Sequence, residues 1–298
     1  MFAFGKKASF RWGMFLVAPT IIGLVILNII PIFQTIYMSF FEVGAFGRDL
    51  SFVGFDNYIR LFQDEQIRQA TWNTFKYTLM YVPPTIIISL LLAVLLNQKI
   101  AGRGIYRTIY FLPMVAAPAA VTMVWRWLYN KDFGLINYLL NKIGIESIAW
   151  IEDPKIALYS IVIIGIWSQI GYCMVLFLSG LQEIPKDYYE AADIDGASWW
   201  RKLISITVPL LSPTIFFVSV TSVIGGMQVF DVIYMMVSPT MPSYDTTVSL
   251  VYLFYNNSFL YGQKGYGSTI VVYLVIILLI LTIIQMRLQK RWVSYMGE

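Results

Sequence analysis

The sequence contains no histidine, a single cysteine and few charged residues. Asp, Glu, Lys and Arg together make up 13% of its 298 residues, about half the fraction that is usual in a soluble domain. Without histidine, imidazole catalysis and histidine metal sites are excluded. The lone Cys173 cannot form an internal disulfide, and its apolar surroundings predict a small buried hydrophobic residue. So little charge leaves too little polar surface to cover a water-soluble globule of this length.

Apolar residues are abundant instead, at 58% of the chain, and 16% of the residues are aromatic. A helix that crosses the hydrocarbon core of a membrane needs about 20 mostly apolar residues. Six stretches meet or approach this length, and no stretch between them has the composition of a soluble domain. We therefore predict an all-α integral membrane protein in which residues 1–298 form one transmembrane domain. The predicted spans are approximately 12–41, 77–98, 106–128, 156–182, 204–236 and 268–288.

Two segments near the N-terminus are the first apolar run and the loop that follows it. The first apolar run follows basic residues, as in a signal peptide, but it is about twice as long as a signal-peptide core and no small-residue cleavage site follows. We expect an uncleaved span. The next segment, residues 42–72, is predicted to be partly helical, with Asp56 capping one short helix and Asp64–Glu65 starting another on the membrane face.

The distribution of basic residues predicts the orientation of the chain. Cytoplasmic loops of membrane proteins carry an excess of Lys and Arg. With the N-terminus inside, the inner segments collect most of the basic residues, whereas the outer loops carry more acidic than basic residues. Both termini are therefore predicted to be cytoplasmic, with residues 183–203 in an inner loop. The inner basic residues are Lys6, Lys7, Arg11, Lys99, Arg103, Arg107, Lys186, Arg201, Lys202, Arg287, Lys290 and Arg291.

A charged segment, YYEAADIDGASWWRKLISITVPLLSP, interrupts the apolar sequence in this inner loop. The residue before a proline disfavours helix, so the fourth span should end at Ile184. Helix formers at Lys186–Asp195 predict a short helix, and Gly196 suits the left-handed position that follows one. Ser198 can cap the next helix, which leads into the fifth span. The loop is thus predicted to be a short helix, a turn and a re-entry helix, and by these features alone it is equally consistent with a solvated connector.

Polar side chains in the fourth and fifth predicted spans are candidates to line a solute pathway. Aromatic rings stack on sugar faces, while amides and carboxylates bind hydroxyl groups. Gln169 and Tyr172 are three residues apart and should share a helix face, as should Ser222 and Gly225. The alternative is that the small residues merely allow close helix packing. The candidates are Trp167, Gln169, Tyr172, Ser222, Gly225, Gln228 and Asp231.

Asp231 is the one acidic residue within a predicted span. A carboxylate is costly at the centre of a bilayer and is a functional candidate by default. It could bind the hydroxyl groups of a solute, or it could form an ion pair with a basic group such as Arg126.

The segment EAADIDGA followed by ISITVPLLSP closely resembles the EAA loop of bacterial ABC-importer permeases. Its pattern is EAA, two residues, DGA, and then I–x–x–P. Two further stretches, Phe52–Thr78 and Gly102–Asn137, resemble the carbohydrate-uptake branch related to the maltose importer. The resemblance spans nearly the whole chain, and the three spaced motifs make it specific. The matching loop positions are Glu190, Ala191, Ala192, Asp195, Gly196, Ala197, Ile206 and Pro209.

The resemblance implies a six-helix type I importer permease for a sugar or oligosaccharide in a bacterial inner or plasma membrane. The EAA loop would be a coupling helix that docks on a separate ATPase, with Glu190 in an ion pair and Gly196 setting the bend. Implied partners are a homologous second permease, two copies of a cytoplasmic ATPase and an extracytoplasmic sugar-binding protein, with no nucleic acid. Tyr172 and Ser222 match sugar-contact positions of the family, although other contact positions differ.

The sequence itself predicts no catalytic residue and no metal site. LSGLQ at Leu178–Gln182 lacks the second glycine of the ABC ATPase signature, and GQKGYGST at Gly262–Thr269 lacks the lysine of a phosphate-binding loop. We interpret both as coincidences. ATP and magnesium would be bound by the partner ATPase, and this chain is not expected to be an enzyme. The alternative function is a proton-coupled secondary transporter that uses Asp231.

Overall fold

The structure is a computed structural model that describes residues 6–43, 50–98 and 100–293. Lys99, one of the basic residues behind the orientation prediction, lies outside the described residues. The chain divides into two compact units: the residues up to Asp64 together with Phe254–Val275, and Glu65–Leu253 together with the residues from Ile276 onward. All of the predicted pathway and loop residues belong to the second unit.

The first unit begins with α1, Lys6–Leu24, a π-helical turn at Val25–Ile29, and α2, Ile30–Met38. The wide turn lies directly before Pro31, whose ring would otherwise clash with a carbonyl of the preceding turn. The helical segment therefore continues through the proline.

The segment that follows contains a small hairpin that the all-α prediction did not include. Strand β1, Phe41–Val43, pairs antiparallel with β2, Leu50–Phe52, so that Phe41 lies opposite Phe52. Helix α3, Asp56–Gln63, has Phe55 at its N-cap position and no side-chain cap hydrogen bond, so the predicted cap at Asp56 is wrong. Asp56 instead occupies the first helical turn, where a carboxylate favours the helix dipole.

The second unit is built around two long helices that pack along each other, α4 (Glu65–Asn97) and α8 (Ala157–Glu183). Helix α4 runs unbroken from Glu65, so the predicted short membrane-face helix and the helix of the second predicted span are one element. Buried side chains of α4, α8 and α12 form an apolar core. Its members include Ala93, Cys173, Met174, Phe177, Leu211 and Val218.

The third predicted span, 106–128, is wrong as a single helix. It consists of α5, Arg103–Val115, and α6, Pro118–Leu128, whose axes are bent by 98°. Ala116 and Ala117 have extended backbone conformations, as the residue before Pro118 favours. The apolar run is continuous, but the proline breaks the helix.

The fifth predicted span, 204–236, is also interrupted. After α9 (Asp187–Ile194) and α10 (Trp199–Lys202) come a π-helical turn, Leu203–Thr207, and α11, Val208–Leu210. Helix α12, Ser212–Met227, is separated from α13, Asp231–Met236, by Gln228–Phe230.

The remaining helices are α7 (Leu135–Lys142), α14 (Tyr244–Thr247), α15 (Leu250–Tyr255) and α16 (Lys264–Trp292), with a π-helical turn at Asn256–Leu260.

Five helical segments of the described residues are long and apolar enough to cross a membrane, and the bent α5–α6 pair could supply a sixth. This agrees with the number of predicted spans when the bent pair counts as one. The five segments are Trp12–Met38, Glu65–Asn97, Ala157–Glu183, Ser212–Met236 and Lys264–Trp292.

Candidate functional site

A cavity of about 370 Å³ lies within the second unit, where the two broken helices meet α4 and α8. Irregular backbone at membrane depth is tolerated where it is buried in protein or lines a cavity. The break between α5 and α6 and the break between α12 and α13 both line this cavity. The lining combines hydroxyl, amide and aromatic groups with one carboxylate. It consists of Tyr77, Tyr81, Pro113, Met114, Ala116, Pro118, Val121, Gly165, Ser168, Gln169, Thr221, Gly225, Gln228, Val229, Phe230, Asp231 and Val232.

The break between α12 and α13 places its polar groups at the cavity. Gln228 ends α12, and Asp231 is the first residue of α13. The free carbonyl of Val229 accepts a hydrogen bond of 2.7 Å from Ser249 Oγ, which holds the break in place. The exposed carboxylate of Asp231 lies at a helix N-terminus, where the dipole favours a negative charge.

Arg126 does not neutralise Asp231. Within the described residues Asp231 makes no ion pair. Arg126 lines a different cavity of about 130 Å³, together with Tyr129, Trp150 and Glu152. The predicted alternative, an Asp231–Arg126 pair, is therefore wrong. The Asp231 carboxylate lines the cavity instead.

The structure brings four of the seven predicted pathway residues together in the cavity: Gln169, Gly225, Gln228 and Asp231. Trp167 lies outside the lining, and its ring makes an edge contact with Trp125 at a centroid distance of 5.6 Å.

Tyr172 and Ser222 lie outside the cavity lining as well. Tyr172 packs against the apolar core, whereas Gln169 lines the cavity. Ser222 is buried, with its Oγ 4.0 Å from Cys173 Sγ, and does not share the cavity face with Gly225. The side chains of residues three apart on a helix point in directions that differ by about 60°. In both pairs this difference places one residue at the cavity and the other outside its lining.

Two cavity residues of α4 were missed by the sequence analysis. Tyr77 and Tyr81 stack on each other, with ring centroids 5.5 Å apart and planes 17° apart. A Cβ atom at Gly165 of α8 would lie 2.1 Å from the Tyr77 hydroxyl, so the glycine makes room for that group. The available signal was the spacing of four between two tyrosines in an otherwise aliphatic span, which places them on one helix face.

The loop between α8 and α12 has the predicted local structure. Helix α8 ends at Glu183 and Ile184 is extended, as expected before a proline. Gly196 has φ +68°; its N–H donates to the Asp193 carbonyl at 3.1 Å, and the N–H of Ala197 donates to the Ala192 carbonyl at 2.9 Å. These two bonds form a Schellman motif that ends α9. The predicted helix and left-handed turn are confirmed.

The re-entry helix is also confirmed. Ser198 precedes α10, and its Oγ accepts a hydrogen bond of 3.4 Å from the Arg201 N–H. Because Ser198 has an extended conformation, the chain changes direction between the turn at Gly196 and the start of α10.

One face of α9 is left uncovered by the rest of the chain. Asp187, Glu190, Ala191 and Ile194 follow the helical repeat and are all exposed, with Ile194 at 88%. We call these four residues the exposed face of α9. An apolar side chain this exposed beside a carboxylate and a small residue is a surface suited to contact with another molecule.

Comparison with known proteins identifies the family of the chain. Residues 66–294 match the family described as binding-protein-dependent transport system inner membrane component. The chain belongs to this family. This inner membrane component is accordingly a multi-pass membrane protein, and the charged loop and the cavity both lie within the matched residues.

Relatives align with this inner membrane component over nearly its whole length. The trehalose/maltose transport system permease protein MalF of Thermococcus litoralis is 31% identical over 96% of both chains. The lactose permease protein LacF of Rhizobium radiobacter is 34% identical over 92% of both. The sn-glycerol-3-phosphate permease protein UgpA of Agrobacterium fabrum is 35% identical over 94% of this chain and 95% of its own.

A solved structure supports the fold. A chain from the crystal structure of a bacterial ABC transporter involved in the import of the acidic polysaccharide alginate superposes with a TM-score of 0.86. The two chains are 22% identical, and the match covers 97% of this chain and 99% of the other. The two chains therefore share the same fold.

Proposed function

We propose that this chain is the permease subunit of an ATP-driven, binding-protein-dependent importer that moves a sugar or oligosaccharide into the cytoplasm by alternating access. The observation that carries the proposal is the arrangement of one bundle with a polar, aromatic cavity inside it and an uncovered loop helix, α9, in a chain that belongs to this transport family. Relatives named for trehalose/maltose and lactose supply the substrate class.

The cavity chemistry supports a hydroxyl-rich solute. Tyr77 and Tyr81 offer aromatic surface, while Gln169 and Gln228 offer amides and Asp231 a carboxylate. Among the described residues that line the cavity there is no Lys or Arg. A neutral saccharide therefore fits better than an anionic one, because a buried anion needs a paired cation or several donors. In this proposal Trp167, Tyr172 and Ser222 contribute through the packing around the cavity.

The exposed face of α9 supports coupling to a separate ATPase. We assign Glu190 to an ion pair with a basic residue of that ATPase, and Ala191 and Ala192 to close seating in its cleft. Asp195, Gly196 and Ala197 form the turn that fixes the angle of α9. In this assignment both termini and the loop 183–203 are cytoplasmic, and the six spans are those predicted above with the third bent.

The proposed assembly contains this permease, a homologous second permease, two copies of the ATPase and an extracytoplasmic sugar-binding protein. ATP and magnesium belong to the ATPase subunits, and this chain supplies the pathway. Closure of the ATPase pair would push on α9 and shift the permease between inward-open and outward-open states, which is a bistable element biased by a bound partner.

Copurification and uptake test this function. A tagged form of this chain, purified from the bacterial membrane in which it normally resides, should bring down an ATPase. Sugar uptake should continue when the proton gradient is collapsed while ATP is held constant. Uptake that stops with the gradient at constant ATP, with no ATPase bound, would favour the proton-coupled transporter that uses Asp231.

A further inference from the structure

Two side-chain contacts tie α9 to the element that follows it. The hydroxyl of Tyr189 lies 3.0 Å from Thr207 Oγ1. Lys202 Nζ donates to Asp193 Oδ1 at 2.6 Å. Tyr189 and Asp193 are four residues apart and lie on a helix face other than the exposed face of α9. Because the contacts are one turn apart, they fix both the position and the rotation of α9.

The Tyr189–Thr207 contact is enclosed at Thr207, whereas the Asp193–Lys202 pair is partly exposed, with the Asp193 side chain 63% accessible to solvent. Thr207 is 4% exposed, and its Oγ1 also donates to the Lys202 carbonyl at 3.3 Å. The Lys202 side chain is 23% exposed. Lys202 ends α10 and Thr207 ends the π-helical turn Leu203–Thr207. Single π turns within helices are frequent at functional sites, and the two contacts from α9 reach the residue before this turn and its last residue.

The same turn leads directly to the cavity. It continues into α11, then Leu211, then α12, and α12 carries Thr221, Gly225 and Gln228 to the cavity lining. Leu211 is 1% exposed and belongs to the apolar core, so the connection is not a free loop. A displacement of α9 would therefore reach the cavity through a short and packed segment.

Space exists for this segment to move. A cavity of about 220 Å³ lies beside the contacts and is lined by Tyr189, Trp199, Lys202, Leu203 and Thr207, with Asn97 of α4 among its other residues. Protein interiors are normally close-packed, and a closely packed neighbour would resist a shift. Tyr189 also packs against the apolar core, so at this cavity α9 is held by that packing together with the two contacts.

We propose that the Tyr189–Thr207 and Asp193–Lys202 pairs are the transmission contacts of the transporter: they convert a movement of α9 into a movement of α12. The four residues are positioning residues, because they act on the solute through α12. This inference rests on the proposed function and adds to it the residues that carry the movement inside this chain.

The test uses the complete transporter reconstituted in proteoliposomes, with ATP hydrolysis and uptake of the sugar retained by its binding protein measured together. Thr207→Val removes the hydroxyl at nearly constant shape, and Thr207→Ser is the matched control that keeps it. Asp193→Lys and Lys202→Asp each break the ion pair, and the double exchange restores it with reversed polarity. Tyr189→Phe is a second variant that loses only a hydroxyl.

We expect uptake per ATP hydrolysed to fall by about fivefold or more in Thr207→Val, Tyr189→Phe and each single charge reversal, which is the low end of typical coupling between sites. Thr207→Ser and the double exchange should retain the wild-type ratio. A merely structural role would change the amount of assembled transporter and leave this ratio intact.

Unchanged uptake per ATP in all of the disrupting variants would overturn the inference. So would equal loss in Thr207→Ser and Thr207→Val, or a double exchange as defective as its parents. Failure of the proposed function is visible separately, because the wild-type transporter itself would then show no ATP-driven uptake.

Discussion

The left-handed residue after α9 is the smallest feature on which the proposed coupling depends. Gly196 has φ +68°, and a Cβ atom there would meet nothing within 4 Å. A side chain would therefore be opposed by backbone strain alone, and not by crowding. The Schellman bonds of Gly196 and Ala197 fix the angle between α9 and α10, so strain here is expected to change that angle.

Replacement of Gly196 by alanine tests this role. We expect Gly196→Ala to cost about 1–2 kcal/mol of local conformational energy and to lower sugar uptake by misplacing α9. Gly144→Ala is a matched control, since Gly144 has φ +83° and equally open surroundings in a different loop. Uptake by cells, normalised to membrane-inserted protein, is the measurement. Equal uptake in the two variants would show that the turn geometry does not matter for coupling.

At the scale of helices, glycine also decides how closely α5 and α8 approach. A Cβ atom at Gly171 would lie 2.0 Å from the carbonyl oxygen of Tyr110, so the two backbones touch. Gly225 differs, because it faces the cavity and a Cβ atom added there would have no neighbour within 4 Å. Gly171 therefore serves the packing of α5 against α8, whereas Gly225 borders the cavity.

We expect Gly171→Ala to destabilise the purified protein by about 1–3 kcal/mol, the usual cost of overpacking, because α5 must move away from α8. Gly225→Ala should leave thermal stability in detergent unchanged while altering sugar affinity or uptake. Thermal unfolding of the two variants is the comparison. A Gly171→Ala variant as stable as wild type would contradict the close approach of α5 and α8.

The elements that could be predicted from the sequence are those whose ends are set locally. Pro185 ends α8 and Gly196 ends α9, and both signals act within a few residues. The bend between α5 and α6 was missed because composition alone treats a continuous apolar run as one span, although Pro118 carries the information. Tyr77 and Tyr81 were missed because their role depends on α8 and α12 packing around them, which is tertiary.

At the scale of the molecule, the proposed orientation depends on charge distribution, and the single cysteine makes it testable. Cys173 is buried, so Cys173→Ala provides a background without reactive thiols. Ser147 and Lys186 are both exposed and lie in loops at opposite ends of α8, and Lys186 is outside the exposed face of α9.

In intact cells we expect a membrane-impermeant maleimide to label Ser147→Cys, because the proposed orientation places it outside. Lys186→Cys should be labelled only after the membrane is permeabilised. The reverse pattern would place α9 outside and make its contact with a cytoplasmic ATPase impossible.

The continuity from the transmission contacts to the cavity has a consequence for changes in chain length. From Thr207 to Met227 the chain is helical apart from Leu211, so the angular position of Gln228, which follows α12, is set by the number of residues between Thr207 and Gln228. One inserted residue would rotate the cavity groups by about 100° and advance them by about 1.5 Å relative to α9. This segment should accept many substitutions of similar size, yet a single insertion or deletion would put the solute-facing side chains out of phase with the loop that moves them.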